Sequence, residues 1–199
     1  MGVHCCNNYL LANKTDAKIL FRNAGHYLAN TPTRWYNCGA FALGYDYWYL
    51  PYDDDCEYEL DQLEKDYDEG YIDTQSDFVN SRARIMIDYM VRYENCREIC
   101  CESQLEDDEY LILFKASYDD FHYARRMDNG DWYHKMGGSD IQKITEEEVY
   151  SDEWWEGLSC CYDSEIYMLA VKKRDITKER IQRKLNRRNR GKIKWTIKN

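Results

Sequence analysis

Helical periodicity dominates the first half of the chain. Apolar residues recur every three or four positions over 16–28, which predicts a first helix, and the small and aromatic residues of 38–50 predict a second helix that begins at Cys38. The longest periodic segment, 77–101, predicts a third helix with one apolar side. The stretch 53–69 contains ten acidic residues and one lysine, which indicates a solvated, partly helical insertion.

The pattern changes to alternation in the second half, where four strands are predicted. Helices come first and antiparallel hairpins follow, so the predicted class is α+β rather than alternating α/β. A length of 199 residues favours one domain over 1–174, followed by a basic tail over 175–199. The predicted strands cover 110–117, 121–127, 131–136 and 165–173.

Charge is divided very unevenly along this acidic protein. Residues 172–199 contain 13 basic and two acidic residues, so the net charge of −10 leaves −21 on residues 1–171. Nucleic acid and anionic membranes repel such a body, whereas the tail is able to bind nucleic acid or the acidic body itself. The tail residues expected to contact nucleic acid or a partner are Arg183, Lys184, Arg187, Arg188 and Arg190.

Nothing in the pattern predicts a membrane segment or export. No apolar run approaches the roughly 18 residues that span a bilayer. The first residues lack the basic start and apolar stretch of a secretory signal. We therefore expect a cytoplasmic protein with no membrane partner.

The nine cysteines are many for a cytoplasmic protein, and their odd number excludes complete disulfide pairing. No CxxC pair suggests a zinc ribbon, so most of them are expected to be small buried hydrophobic residues, with no metal and no cofactor. A zinc site remains an alternative. It would be formed by His4, Cys5, Cys6 and the group Cys96, Cys100 and Cys101.

Cys38 stands where a nucleophile is favoured. The unpaired N–H groups and dipole of a helix N-terminus stabilise a thiolate. Gly39 and Ala40 allow a substrate to approach the helix closely, and the N–H of Cys38 is a possible oxyanion donor. Taken alone, the residue would be interpreted as a buried structural cysteine.

A predicted hairpin over 120–138 carries one histidine in each arm. With a two-residue turn, His122 and His134 would point to opposite faces of the sheet. A three-residue turn over 128–130, with Gly130 in the left-handed region, pairs His134 with Ala124 and places both imidazoles on one face, about 7 Å apart. The sequence Asp-Asn-Gly favours this second turn.

The order Cys38, His122, His134 resembles that of papain-like cysteine hydrolases, and a histidine as third member resembles the NlpC-type cell-wall endopeptidases. More closely, YNCGAFALG and DFHYARRMDNGDWYHKMGG resemble uncharacterised bacterial and phage proteins with N-C-x-x-x-A-L and D-x-H…D-G-x-W-x-H-K motifs. The resemblance implies a papain-like α+β fold, in which N-terminal helices, including the cysteine-bearing one, pack on an antiparallel sheet. It implies a thiol protease in which Cys38 attacks, His122 is the base and His134 orients His122.

The chain also departs from the papain-like pattern. Pro32 stands where papain-like enzymes have an oxyanion glutamine, so Asn37, Asn30 or backbone groups would have to donate instead. Trp35, Tyr36 and Trp132 are the candidates for lining a substrate cleft.

Two main functional hypotheses remain at this stage. The first is a cysteine peptidase or amidase that acts on a protein or peptide through an acyl-enzyme. The second is a non-catalytic papain-like interaction protein, for example a phage anti-defence inhibitor whose acidic surface imitates nucleic acid to occupy a host protein. Nucleic-acid binding through 175–199 is a third.

Overall fold

The computed structural model describes residues 34, 36–45 and 48–173. The predicted helix over 16–28, the cleft candidate Trp35, the tail over 175–199 and the zinc candidates His4, Cys5 and Cys6 lie outside these described residues.

The architecture is α+β, as the order of periodicities predicted. Three helices precede or flank a six-stranded antiparallel sheet with strand order β1-β6-β2-β3-β4-β5, and two short helices lie between the last two strands in sequence. The helices are α1 (Cys38–Leu43), α2 (Asp54–Asp68), α3 (Gln75–Tyr93), α4 (Glu146–Val149) and α5 (Asp152–Glu156). The strands are β1 (Cys96–Ile99), β2 (Glu109–Ala116), β3 (Phe121–Arg126), β4 (Trp132–Lys135), β5 (Ile141–Ile144) and β6 (Tyr167–Lys172).

Both faces of the sheet are covered, because successive side chains of a strand point to opposite sides. We call the two resulting layers the helix layer and the tryptophan layer. In the helix layer, α1 and α3 pack against sheet residues such as Tyr123 and Tyr133. In the tryptophan layer, Trp154 and Trp155 of α5 pack against Ala124. The central strands are therefore buried on both sides.

The β3–β4 hairpin has the predicted three-residue turn. Ala124 pairs with His134, and Met127 N–H donates to Asp131 O at 2.9 Å to close the loop 128–130. Gly130 has a φ of 84°, in the left-handed region that an L side chain rarely adopts. The predicted register is confirmed, and both histidines point into the tryptophan layer.

The helix that begins at Cys38 was predicted to reach residue 50, and this was wrong. It ends at Leu43 because Gly44 adopts a φ of 78° and its N–H donates to Ala40 O. The chain then turns back, and Tyr49 is buried against Gly39 of the same helix. Tyr49 therefore packs onto α1 rather than extending it.

The long third helix was predicted to continue through residue 101, and this was also wrong. It ends at Tyr93, and Asn95 takes a φ of 51°. Residues Cys96–Ile99 then pair with β6, with Cys96 opposite Val171. Cross-strand pairing at this sheet edge outweighs the helical periodicity of the segment.

The acidic stretch is a regular helix, α2, that packs on α3. The Asp53 side chain caps it by accepting from Cys56 N–H at 3.2 Å, and three carboxylates occupy its first turn, where the helix dipole favours them. Leu60 is its buried contact with the core. Within the described residues, no helix is long and apolar enough to cross a membrane.

The expectation that most cysteines are buried was wrong for the seven described ones, all of which are free thiols. Only Cys38 and Cys96 are buried. The other five are half-buried or exposed: Cys56, Cys100, Cys101, Cys160 and Cys161. In the described part of the chain, no three metal-ligating side chains form a cluster.

Replacing Gly130 by alanine should destabilise the protein by roughly 1–2 kcal/mol, because the left-handed conformation is unfavourable once a Cβ is present. Urea unfolding would measure the loss. Gly138→Ala is the matched control: its φ is not left-handed and an added Cβ would meet only ordinary contacts, the nearest being Arg34 Cα at 3.6 Å. Equal losses in the two variants would contradict the bulged turn.

Candidate functional site

His122 and His134 form a direct hydrogen bond between their rings. His122 Nε2 lies 3.0 Å from His134 Nδ1, and the rings are nearly perpendicular, at 86°. The other nitrogen of His134, Nε2, lies 3.1 Å from Gln142 Oε1 on β5. Three side chains on three neighbouring strands thus form one polar chain, which we call the His-His-Gln chain.

Aromatic rings enclose this chain in the tryptophan layer. Tyr162 stacks on the His122 ring at 5.2 Å, and Trp155 packs edge-on against it at 5.8 Å. Trp154 packs edge-on against His134 at 4.9 Å. The two histidines are 1% and 0% exposed, so both imidazoles are effectively removed from water.

Burial decides the protonation of the pair. It lowers the pKa of His134 to about 4. Burial lowers the pKa of His122 well below its usual value, and the neighbouring charges of His134 and Lys135 act in the same direction. Both imidazoles are therefore neutral at pH 7, a state in which each ring has one N–H donor and one bare acceptor nitrogen.

Cys38 is the first residue of α1, as predicted from the sequence. Asn37 is the N-cap, and its Oδ1 accepts from Ala40 N–H at 3.1 Å. The Cys38 thiol donates to the carbonyl oxygen of Phe121 at 3.6 Å. The sulfur therefore lies against the peptide bond that joins Phe121 to His122.

The Cys38 thiol is neutral in this structure. Burial raises its pKa to about 12, and the negative charge of Asp120 adds to the effect. The backbone N–H of Gly39 and the charge of Lys135 act in the opposite direction, as expected for a helix N-terminus. Those two influences do not compensate for the loss of hydration, so the site contains a thiol and an imidazole, not an ion pair.

The structure brings the two histidines together but places the Cys38 sulfur on the other face of the sheet, against the backbone of β3. Cys38 packs in the helix layer, whereas the His122 ring packs in the tryptophan layer. Among the described contacts, the thiol pairs with Phe121 O and the Nε2 of His122 faces His134, with no hydrogen bond between sulfur and imidazole. The backbone of β3 therefore lies between the sulfur and the His122 ring.

The remaining predicted site residues have structural contacts of their own. Besides capping α1, the Asn37 amide accepts from Tyr49 N–H and donates to Tyr49 O, at 3.1 and 2.6 Å. Tyr36 and Trp132 are each 1% exposed, so neither lines an open cleft in this structure. Asn37, the predicted oxyanion donor, thus holds the start of α1, and Tyr36 and Trp132, the predicted cleft residues, are buried in the core.

Lys135 is a buried lysine beside Cys38 that sequence reasoning did not assign. It is 0% exposed, and its ammonium donates to Tyr36 O at 2.5 Å and to Gly137 O. The same ammonium lies 4.7 Å from the centre of the Tyr36 ring. Burial lowers its pKa to about 8. The side chain connects β4 to the segment that leads into α1. Its place directly after His134 in the sequence was the one sign that it lies near the site.

Gln142 is the second residue that the sequence did not reveal. It lies on β5, where His134 pairs with it across the strands. The four-residue strand IQKI is short and was not predicted, so nothing in the sequence placed this amide next to an imidazole. The only sign of a strand was an isoleucine at each end of this segment, with two polar residues between them.

The chain matches no protein-family model, no curated protein and no solved structure at a significant level. What the site is able to do must therefore be judged from its geometry. The site contains a neutral thiol at a helix start and two neutral imidazoles joined by a hydrogen bond.

Acidification should destabilise the fold through the buried histidines. The unfolded chain takes up a proton near pH 6.5, whereas folded His134 resists protonation until about pH 4. The free energy of unfolding should therefore fall as the pH decreases from 6.5 to 4, by about 3 kcal/mol from His134 alone. Urea unfolding at pH 7 and pH 4 would measure it.

His134→Gln is the comparison for that prediction, because it keeps a polar side chain and removes the titration. Other groups titrate over the same range, so the informative quantity is the difference between the two pH dependences. Parallel pH dependences in the wild type and the variant would contradict a neutral, buried His134.

Proposed function

We propose that the protein is a thiol-dependent hydrolase of amide or peptide bonds, with Cys38 as nucleophile, His122 as general base and His134 as orienting residue. The supporting observation is the hydrogen bond between His122 Nε2 and His134 Nδ1, together with a cysteine that begins a helix and contacts the carbonyl of Phe121. Since His134 occupies Nε2 of His122, Nδ1 is the nitrogen left for the sulfur. The proposal includes a papain-like fold for residues 1–174.

The reaction would proceed through a covalent acyl-enzyme. Cys38 Sγ transfers its proton to His122 and attacks the substrate carbonyl carbon, and the imidazolium then protonates the leaving amine. Water hydrolyses the thioester, with His122 again accepting a proton. This step requires a rearrangement at the start of β3, because the sulfur and the His122 ring lie on opposite faces of the sheet and the thiol now donates to the Phe121 carbonyl. Catalytic hydrogen bonds commonly tighten only when substrate binds.

The opposing pKa shifts make proton transfer from Cys38 to His122 costly in the resting site, so the proposed route requires the proton to leave the sulfur only in the transition state. Burial raises the pKa of Cys38 to about 12 and lowers that of His122, so the resting state has no thiolate. A nucleophile of this kind is inert toward electrophiles until its proton is removed in the transition state. The backbone N–H groups at the start of α1 are then the oxyanion donors, since Asn37 is engaged with Tyr49 and Ala40.

The test is acyl transfer from an activated ester, p-nitrophenyl acetate, in a background in which seven of the nine cysteines are serine and only Cys38 and Cys96 remain. We expect a burst of nitrophenol, an acetyl group on Cys38 by mass spectrometry, and slow turnover. His122→Gln should lower turnover at least about 100-fold, because it removes the general base.

Cys96→Ala is the matched control for Cys38→Ala. Cys96 is also buried, and burial likewise raises its pKa to about 12, but it lies at the opposite edge of the sheet, on β1. Turnover should disappear in Cys38→Ala and persist in Cys96→Ala. An unchanged rate in Cys38→Ala would overturn the proposed function.

A second candidate function, a non-catalytic interaction protein, is favoured by the surface of α2. Its carboxylates are exposed, and in the described residues only Glu69 at its end forms an ion pair with a lysine, Lys65, at 3.8 Å. A row of unpaired carboxylates on a rigid helix imitates phosphates. An inhibitor of this kind would act unchanged in Cys38→Ala and fail once Asp54, Asp55, Glu57 and Glu59 were replaced by their amides.

A further inference from the structure

The polar chain extends one residue beyond the proposed catalytic pair. Gln142 lies on β5, directly opposite His134 on β4, and its Oε1 is 3.1 Å from His134 Nε2. It is half-buried, whereas both histidines are buried. Gln142 is thus the point at which the enclosed chain reaches the edge of the site.

The amide oxygen determines where the protons of the two imidazoles are. In the orientation that the Gln142 amide adopts here, its oxygen faces the ring and only accepts, so His134 Nε2 carries a hydrogen and donates it to Gln142. In a neutral ring this leaves His134 Nδ1 bare, as an acceptor. His122 Nε2 must then carry the hydrogen of the 3.0 Å bond between the rings, and His122 Nδ1 is left bare. The reversed amide would require the opposite tautomer.

The opposite arrangement would disable the proposed base. If His134 Nδ1 carried the hydrogen, His122 Nε2 would accept it and His122 Nδ1 would hold a proton of its own. A protonated Nδ1 cannot accept the thiol proton. The direction of the hydrogen bonds along the His-His-Gln chain therefore decides whether His122 is able to act.

We propose that Gln142 is a positioning residue that fixes the tautomers of His134 and His122, so that the Nδ1 of His122 is the bare nitrogen presented for proton transfer. This inference rests on the proposed function for its chemical purpose, but the tautomers themselves are a property of the resting protein. Neutral rings are required, and burial of both imidazoles keeps them neutral at pH 7.

The charged and titratable groups around the chain are compatible with this assignment. The charges of His134 and Lys135 oppose protonation of His122, and Glu148 of α4 favours protonation of His134. Tyr162 stacks on His122 but its hydroxyl donates to Asp120 at 2.8 Å. It therefore does not compete for the bonds between the rings.

The test is ¹⁵N NMR of the full-length protein with labelled histidine at pH 7, which separates protonated from bare ring nitrogens. We expect protonated Nε2 and bare Nδ1 on both His122 and His134, with His122→Gln and His134→Gln used for assignment. A protonated Nδ1 on His134 in the wild-type protein would overturn the inference.

Two substitutions of Gln142 give the causal test. Gln142→Glu keeps an acceptor and should preserve the tautomers while raising the pH at which His134 titrates. Gln142→Met has no acceptor and should give mixed tautomers and about tenfold slower ester turnover. Lys143→Gln is the control, since its exposed side chain is on the same strand but the opposite face. Wild-type tautomers in Gln142→Met would contradict the positioning role.

The two proposals fail separately. If Cys38→Ala keeps full ester turnover while the NMR assignment holds, the hydrolase is wrong and the tautomer assignment stands. If acetyl-Cys38 forms but His134 Nδ1 is protonated, the hydrolase stands and the role of Gln142 is wrong. Circular dichroism of each variant shows that its fold is retained.

Discussion

The hydrogen bond between His122 and His134 is the interaction on which the proposed site depends, and it is a consequence of strand register. A one-residue change in the β3–β4 turn would move one imidazole into the helix layer and leave the other without a partner among tryptophans. Gly130 permits the bulged turn, and the turn fixes the register. The site is therefore specified by a backbone conformation several residues away from it.

This dependence explains how much of the site was predictable. The turn sequence Asp-Asn-Gly determines its own geometry locally, so the pairing of Ala124 with His134 followed from the sequence. The start of α1 at Cys38 was also a local property, because Asn37 is a strong N-cap. At these two places short-range chemistry decided the backbone, and the prediction was confirmed.

Long-range contacts decided the parts that sequence reasoning missed. Residues Cys96–Ile99 follow a strong helix and become a strand only because β6, about seventy residues later, offers an edge. Strand β5 is too short for a periodic signal, so the contact of Gln142 with His134 could not be foreseen. The contact between the Lys135 ammonium and Tyr36 O depends on how α1 packs on β4, so it could not be predicted from the sequence.

The burial of the site constrains the chemistry more strongly than the identity of its residues does. In the low dielectric of the core, an isolated thiolate or imidazolium is costly, so both Cys38 and His122 are held neutral. Charge would have to appear on both at once, as one proton passes from sulfur to ring. The charge of Lys135 and the N–H groups of α1 favour the negative partner, whereas the same lysine opposes a positive charge on His122, whose ring contacts the neutral His134. In the proposed hydrolase this asymmetry would favour a short-lived imidazolium that quickly passes its proton to the leaving amine.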